Sequence, residues 1–544
     1  MTDMLGSALS GLTAYQRALS TTSHNIANAN TEGFSRQTVS LTSRTPEQRG
    51  PLTLGSGVQL SSVQRAYDQY AVTQQRSTTA SYNQQQTIHS LSSRLDNLLS
   101  DSEQGLSPAL SKFYDSIQAA STDPSSLAAR RELLANGSTL AARFQGIDSE
   151  FSGINEEINT RISASVNEVN GLSKRIAELN LTISRTVGQG GKPNDLLDQR
   201  DAAVLELNKI VRVSTLEQKD GSMSVFVGNG QPLVLGTQPN TLVVTSNRFD
   251  PTRAEVSFAG QGEISGALEG GTLGGAMAFR DDVLTPARNQ LGLLANQMAS
   301  AFNDQHKLGT DLRGDVGGDF FSIGAIEPRA SSSNSGNATL SVEVSDSLNL
   351  TGDAYILRQT DTGWQLRNPA SNQVISLTGT GTAGDPLTAQ GFSVVVSGTA
   401  ATNDEFLISP TGMSAKTISV AITDPAKIAA AGNDGTQGPG DNRNMLAMAS
   451  IESKKILTNG SATLGDGVQG MLGKVAATTR SAQVGASAQE TLLAQATARR
   501  DEVSGVNLDE EAANLLRFQQ AYQASAQVAS VANSLFQTMI NAFR

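Results

Sequence analysis

The chain has 544 residues, a formal net charge of −11, a pI near 5.0 and no cysteine. An acidic balance without a Lys/Arg cluster argues against a nucleic-acid ligand, the missing thiols exclude disulfides and cysteine nucleophiles, and no apolar run approaches the roughly 18 residues of a membrane span. At this length two to four domains are expected, and with aromatics at 4% their cores must be aliphatic.

From the N-terminus, Leu5, Ala8, Leu12, Tyr15, Leu19, Thr22 and Ile26 step by three and four, which predicts an amphipathic helix from residue 4. It should stop near residue 30, because Asn25, Asn28, Asn30 and Gly33 tolerate turn and left-handed conformations. Phe34 opens an extended stretch. Ile88, Leu91, Leu95 and Leu98 mark another helix. The strongest helical signal follows: Leu140, Phe144, Ile147, Phe151, Ile154, Ile158, Ile162, Val166, Val169, Leu172, Ile176, Leu179 and Ile183. Such a helix extends about 65 Å, with bends expected at Gly146, Gly153 and Gly171.

Met223, Val225 and Val227 alternate up to the turn Gly228-Asn229-Gly230, after which Leu233 and Leu235 return; Val243, Val256 and Phe258 continue a small β-rich insertion. Leu284, Ala287, Leu291, Leu294, Met298 and Phe302 return to helical spacing. Beyond an SSSNSGN linker at 331–337, Leu340, Val342, Val344, Tyr355, Trp364, Leu366, Ile375, Leu377, Phe392, Val394, Phe406 and Ile408 predict short strands in an antiparallel sandwich or barrel. Val468, Leu472, Val475, Ala482, Ala486 and Leu493 resume the helix pattern.

The last seam is Leu508, Ala512, Leu515, Gln519, Tyr522, Ala526, Ala529, Asn533, Phe536, Ile540 and Phe543. Asn507 can cap it, Glu510 stands where a capping box closes, and Asp509, Glu510 and Glu511 favour the positive helix end.

Helices flank the middle on both sides, so the chain goes out and comes back. The expected fold is α+β and multidomain: an elongated helical bundle and coiled coil built from both termini, with β-rich outer domains in the centre. Boundaries are placed at 1–65 with 503–544, at 66–325 with 413–502 (β insertion at about 213–262), and at 326–412. The two terminal seams find no partner elsewhere in the sequence. Two helices alone bury too little apolar surface to offset the entropy of ordering them, which points to a subunit completed by its neighbours.

The segments GLTAYQRALSTTSHNIANANTEGFSR and GVNLDEEAANLLRFQQAYQASAQV resemble the N- and C-terminal signatures of the bacterial flagellar axial proteins, the rod, hook and hook-associated family. DLLDQRDAAVLELNKIV at 195–211, GNGQPLVLG at 228–236, NDQHKLGTDLRGDVGGDFF at 303–321 and DNRNMLAMASIESKKIL at 441–457 are similar to its hook-associated branch at the hook–filament junction. Arg313 departs from the family's frequent Asn, and Phe34 and Phe518 from its Tyr.

The resemblance implies a structural, non-catalytic subunit of the extracellular flagellum that assembles as a homo-oligomer in a helical zone between hook protein and the third hook-associated protein. It implies terminal helices that line an inner tube and β domains that face outward. It also implies flagellar type III export without a cleaved signal peptide, in keeping with an N-terminus that has Asp3 as its one charge before Arg17; composition by itself reads as cytosolic. The implied assembly residues are Leu5, Leu12, Tyr15, Leu19, Asn25, Ile26, Asn28, Asn30 and Gly33 at the front. At the back they are Leu508, Ala512, Leu515, Tyr522, Ala529, Phe536 and Ile540, with an export chaperone expected on the C-terminal helix. Rival readings are a sister axial protein or an adhesin carried on the outer domain.

No catalytic, cofactor or metal residues are expected. His24, His89 and His306 lie far apart; His24 reads as a helix-end or surface residue and His306 as a structural hydrogen-bonding residue. Asp311, Asp315 and Asp319 imitate a calcium loop only loosely, without its terminal Glu. GGTLGG at 270–275 is a poor dinucleotide fingerprint, and Glu156-Glu157 and Asp281-Asp282 read as solvated helix faces.

Overall fold

The computed structural model describes residues 2–542 apart from 50, 51, 104, 436, 437, 439 and 458. Eleven helices are found among these residues: α1 (Thr2–Ala27), α2 (Gln69–Leu99), α3 (Leu106–Thr122), α4 (Leu127–Gly188), α5 (Asn194–Ile210), α6 (Gly271–Phe279), α7 (Thr285–His306), α8 (Ser414–Thr417), α9 (Arg443–Ala449), α10 (Leu464–Ser504) and α11 (Leu508–Ala542). No described helix is long and apolar enough to cross a membrane.

The long apolar seam becomes α4, 62 residues and about 93 Å at 1.5 Å per residue. Ser126 caps it by accepting from Ala129 N at 3.4 Å. It starts thirteen residues before the first predicted seam position, because Leu133 and Gly137 extend the same buried face. Every predicted seam residue is buried except Leu172, which is half-buried. Gly146, Gly153 and Gly171 do not interrupt the helix. All three lie on its exposed face, where a missing side chain forfeits no packing.

Around α4 the outgoing and returning halves of the chain meet. α2 runs against α10, and α6 crosses α2 so closely that a Cβ on Gly275 would sit 2.8 Å from the Gln84 carbonyl. This packing explains part of the GGTLGG run. Gly271 has φ +64° against the Ile210 carbonyl and leaves no room for a phosphate. Phe113, Phe302, Phe320 and Phe321 stack at 4.9–6.4 Å between centroids where α3 meets α7. A π-turn at Arg280–Leu284 joins α6 to α7 and carries the buried Arg280, which bonds Glu255 at 3.1 Å. Asp281 and Asp282 are exposed, and Asp281 also pairs with Arg253 at 2.9 Å. Glu157 likewise pairs with Arg161 and Arg94.

Three asparagines on α4 dock the small β insertion. Asn159, Asn170 and Asn180 each both donate to and accept from a strand edge, at Thr252/Ala254, Leu242 and Met223, over 2.7–3.0 Å. Intervals of ten and eleven residues return to one helix face, so helix and strand edges satisfy each other's polar groups. Within the insertion, a register shift after Val225 buries Leu233 and Val234 together and turns Leu235 outward, against the simple alternation expected.

The second β region is a sandwich. A five-stranded antiparallel sheet (329–330, 405–408, 355–360, 363–367, 374–375) faces a three-stranded one (339–344, 392–397, 387–389). Tyr355, Leu357, Leu366 and Ile408 from the first meet Val342, Leu387, Phe392 and Val394 from the second, closed at one end by Leu293 of α7. The SSSNSGN segment is not a free linker. Asp404 accepts from Ser335 N and Gly336 N at 2.8 and 3.0 Å, and Asn334 bonds Glu405 in both directions.

His306 is buried at the end of α7. Its Nδ1 donates to the Gly318 carbonyl at 2.8 Å and its Nε2 accepts from Ala429 N at 2.8 Å. Burial, against the opposing Gly318 bond, holds its pKa below the usual imidazole value. An imidazole that is harder to protonate when folded adds stability that is complete above the unfolded value of about 6.5 and is lost as pH falls through the folded one. Urea unfolding of the full chain at pH 7.5 and pH 5 should therefore show a loss that His306→Gln removes.

Candidate assembly interface at the paired termini

Helices α1 and α11 pack antiparallel. Asn25 meets Glu511, the Tyr15 and Phe518 rings lie 6.5 Å apart, and a Cβ on Gly11 would come within 2.8 Å of Ser525 Oγ. The α1 face that enters this contact is Ala8, Gly11, Ala14, Ala18, Thr22 and Asn25, all buried. That corrects the expected seam. Ala8 and Thr22 are shared, but Leu12, Tyr15, Leu19 and Ile26 are half-buried on the flank, and Leu5 is exposed. Small side chains let two backbones approach, so the larger apolar groups are displaced sideways.

On α11 the contact face is Glu511, Leu515, Phe518, Ser525, Ala529 and Ala532, whereas Leu508, Ala512, Tyr522, Phe536 and Ile540 are exposed. Phe543 lies outside the described residues. Neither buried apolar cluster of the body includes a described residue of α1 or α11.

What holds the root of this hairpin together is polar. Glu511, 2% exposed, accepts from Arg36 Nε at 2.7 Å and from Asn25 Nδ2 at 3.1 Å. Asn25 also pairs with the Gln37 backbone like one more strand residue, Nδ2 to O at 2.9 Å and Oδ1 from N at 3.0 Å. Arg36 reaches Glu510 at 2.9 Å, so Glu510 serves a guanidinium, while Asn507 Oδ1 caps α11 by accepting from Asp509 N and Glu510 N. Burial acts to lower the Arg36 pKa, but the bonds to Glu510 and Glu511 outweigh it and hold the pKa above its ordinary value.

The loop after α1 works through side chains, with one backbone exception. Asn25, Asn28 and Asn30 keep negative φ, and Gly33 alone among the four takes the left-handed conformation, at φ +81°. Asn28 closes the helix by donating to the His24 carbonyl at 3.0 Å. His24 is indeed a helix-end residue, 3.3 Å from Asp195 of α5. Gln37 Nε2 donates to the same Asp195 oxygen at 2.7 Å.

Deeper in, Asp198 accepts from Ser35 N and Arg65, and Asp201 bridges Arg65 and Arg76 at 2.9 and 2.8 Å. Burial raises the Asp198 pKa despite these partners. A polar cleft of about 880 Å³ opens beside this network, lined in part by Tyr67, Arg76, Asp201, Arg500 and Glu510. Arg36, Glu511, Asp198, Arg65 and Asp201 are absent from the sequence-derived set. The charged runs LDQRD and LDEE were visible, but nothing in one sequence says which charge meets which. Among the described residues no group of three or more His, Asp or Glu is placed to hold a metal ion.

The two terminal helices coincide with two family models. Residues 5–34 match the flagella basal body rod protein model, and residues 498–542 match the model for the C-terminal part of the basal body rod FlgEFG proteins. Residues 92–321 match the helical domain of the flagellar hook-associated protein FlgK, and 329–410 the D2-like domain of flagellar hook-associated protein 1. Flagellar hook-associated protein 1 of Escherichia coli K12 is 35% identical over 548 residues, covering 99% of this chain and 100% of its own.

The chain belongs to the flagellar hook-associated protein 1 family. The Salmonella typhimurium and Bacillus subtilis proteins of that name are 36% and 26% identical, each covering 99% of this chain and respectively 100% and 97% of their own. The solved structure of the flagellar hook junction protein FlgK from Burkholderia pseudomallei superposes with a TM-score of 0.72 at 23% identity, covering 79% of this chain and 100% of that one. It shares the fold. These relatives are structural proteins of the extracellular flagellum.

If the buried carboxylate locks the root of the hairpin, Glu511→Gln and Arg36→Met should be non-additive. A double-mutant cycle read by amide exchange at Gln37 should give a coupling of about 1.5–3 kcal/mol, the range for hydrogen bonds to charged groups. Additive effects would contradict the assignment.

Proposed function

We propose that this hook-associated protein is a structural subunit of the hook–filament junction, and that its terminal hairpin is the assembling part. The carrying observation is that α1 and α11 are tied at their root to each other and to Arg36 by polar contacts on the buried Glu511 while their apolar flanks stay bare. A helix pair that leaves Leu5, Leu9, Val528, Val531, Leu535 and Phe536 exposed gains stability only when other molecules cover them.

In this reading residues 1–65 with 503–544 form the inner tube, 66–325 with 413–502 a stiff shaft, and 326–412 the outward domain. The neighbours are further copies, the hook protein on one side and the third hook-associated protein on the other. The chain leaves by the flagellar type III route without a cleaved signal, and marginal ends suit passage as an unfolded chain. Before assembly an export chaperone covers the C-terminal helix, using the exposed residues Tyr522, Phe536 and Ile540. Of the predicted assembly residues, Leu515 and Ala529 then belong to the contact itself, and Leu508 and Ala512, with Leu12, Tyr15, Leu19 and Ile26, act as a rim around it. Asn25, Asn28, Asn30 and Gly33 act at its root.

The test is removal of residues 507–544. Immunogold labelling of isolated flagella should then find the truncated chain missing from the junction and motility lost; labelled junctions and normal swimming would contradict the proposal.

A further inference from the structure

The terminal hairpin has two apolar flanks, bare except for the half-buried Leu12, and they face opposite ways. At 100° per residue, Leu5, Leu9 and Leu12 lie roughly a third of a turn from the Ala8–Ala18 face that meets α11, in the sense of increasing residue number. By the same count Val528, Val531 and Leu535 lie roughly a quarter-turn from the α11 face at Phe518, Ser525 and Ala532, in the reverse sense. For antiparallel helices, opposite senses put the two flanks on opposite sides of the pair. Both flanks sit in the half of the hairpin remote from the Glu511 root, and each spans about 10 Å. The β-hairpin of strands 37–43 and 58–65 leans on another side of α1, where Val58 N donates to Ser10 Oγ at 3.2 Å, and leaves Leu5 and Leu9 exposed.

Charge says what can cover them. There is no charged residue from Met4 to Gln16 or from Phe518 to Ala542. Apolar flanks without a charge ask for an uncharged apolar cover, and the many Gln, Asn and Ser residues of α11 rule out a lipid interior as the surroundings. A charged partner surface would be left unpaired there. The chain's own uncharged tip is the surface that fits. The bare α11 stripe is also continuous with the α1–α11 interface, whose face runs on through Phe536, Met539 and Ile540 past the start of α1.

We propose that Val528, Val531 and Leu535 of one copy receive Leu5, Leu9 and Leu12 of the next, a head-to-tail contact. This deepens, and rests on, the reading of the chain as an axial subunit. Because donor and acceptor flanks lie on opposite sides, the contact cannot close into a symmetric dimer and propagates around a ring or helix. It thereby names the residues of one lateral interface and its polarity.

The absence of cysteine makes the test clean. In flagella assembled from the Leu9→Cys/Val531→Cys double variant, oxidation should give a ladder of covalent multimers, at least tenfold above either single variant. Opposite placement of the two sites excludes an internal disulfide. Self-cross-linking of Leu9→Cys alone, or an incorporated double variant without a ladder, would overturn the contact while leaving the junction reading intact; absence of the wild-type chain from the junction would overturn that reading itself. Should the cysteine variants fail to incorporate, Leu9→Glu and Val531→Lys provide the second measurement. Each alone should lower incorporation at least tenfold and together restore it, and loss without restoration would overturn the pairing.

Discussion

A single carboxylate buried at the root of the terminal hairpin decides where the two ends of this chain meet. Glu511 gathers Asn25 from the end of α1 and Arg36 from just before the strand that follows, across 486 and 475 residues of sequence. A buried charge of this kind is tolerable only when its partners are in place, so the root has one geometry. Beyond the root the hairpin holds itself by a contact of Ala, Gly and Thr against Leu515, Phe518 and Ala532, narrow and poor in buried area. Order is therefore graded along the hairpin, firm where polar groups are paired and weak toward the tips.

The body is built on the opposite plan. α4 buries an apolar stripe along nearly its whole length; α3, α5, α6 and α7 pack on it, and α2 and α10 complete the same continuous cluster. Buried polar groups there serve as docking points: Asn159, Asn170 and Asn180 hold the β insertion, and His306 ties α7 to the 428–431 segment. A stiff shaft joined by a polar root to soft ends suits a part made in one place and completed in another.

Much of this was legible in the residues. Hydrophobic periodicity located the six helices longer than twenty residues and the α4 seam, because a stripe facing one core repeats with the helical period, but it did not pick out α3 or α5. It misjudged α1, where Ala and Gly make the contact and leucines mark the flank; an apolar scale ranks leucine above alanine whichever of them touches a partner. It also misread Leu235, since a bulge changes inward for outward without altering the alternation. The SSSNSGN stretch looked like a linker by composition, yet Asp404 orders it through backbone N–H groups that composition does not reveal. The Arg36–Glu511–Asn25 root was out of reach for a plainer reason. Side-chain pairing between distant segments carries no local signature.

The decisive measurement is hydrogen exchange, resolved along both terminal helices, on the purified solitary chain and on the same chain within flagella. The account predicts slow exchange around Asn25, Gln37 and Glu511 in both, fast exchange over the first half of α1 and the last half of α11 in the solitary chain, and protection of those halves only in the assembled form. Tips as protected in the solitary chain as in the flagellum would contradict it.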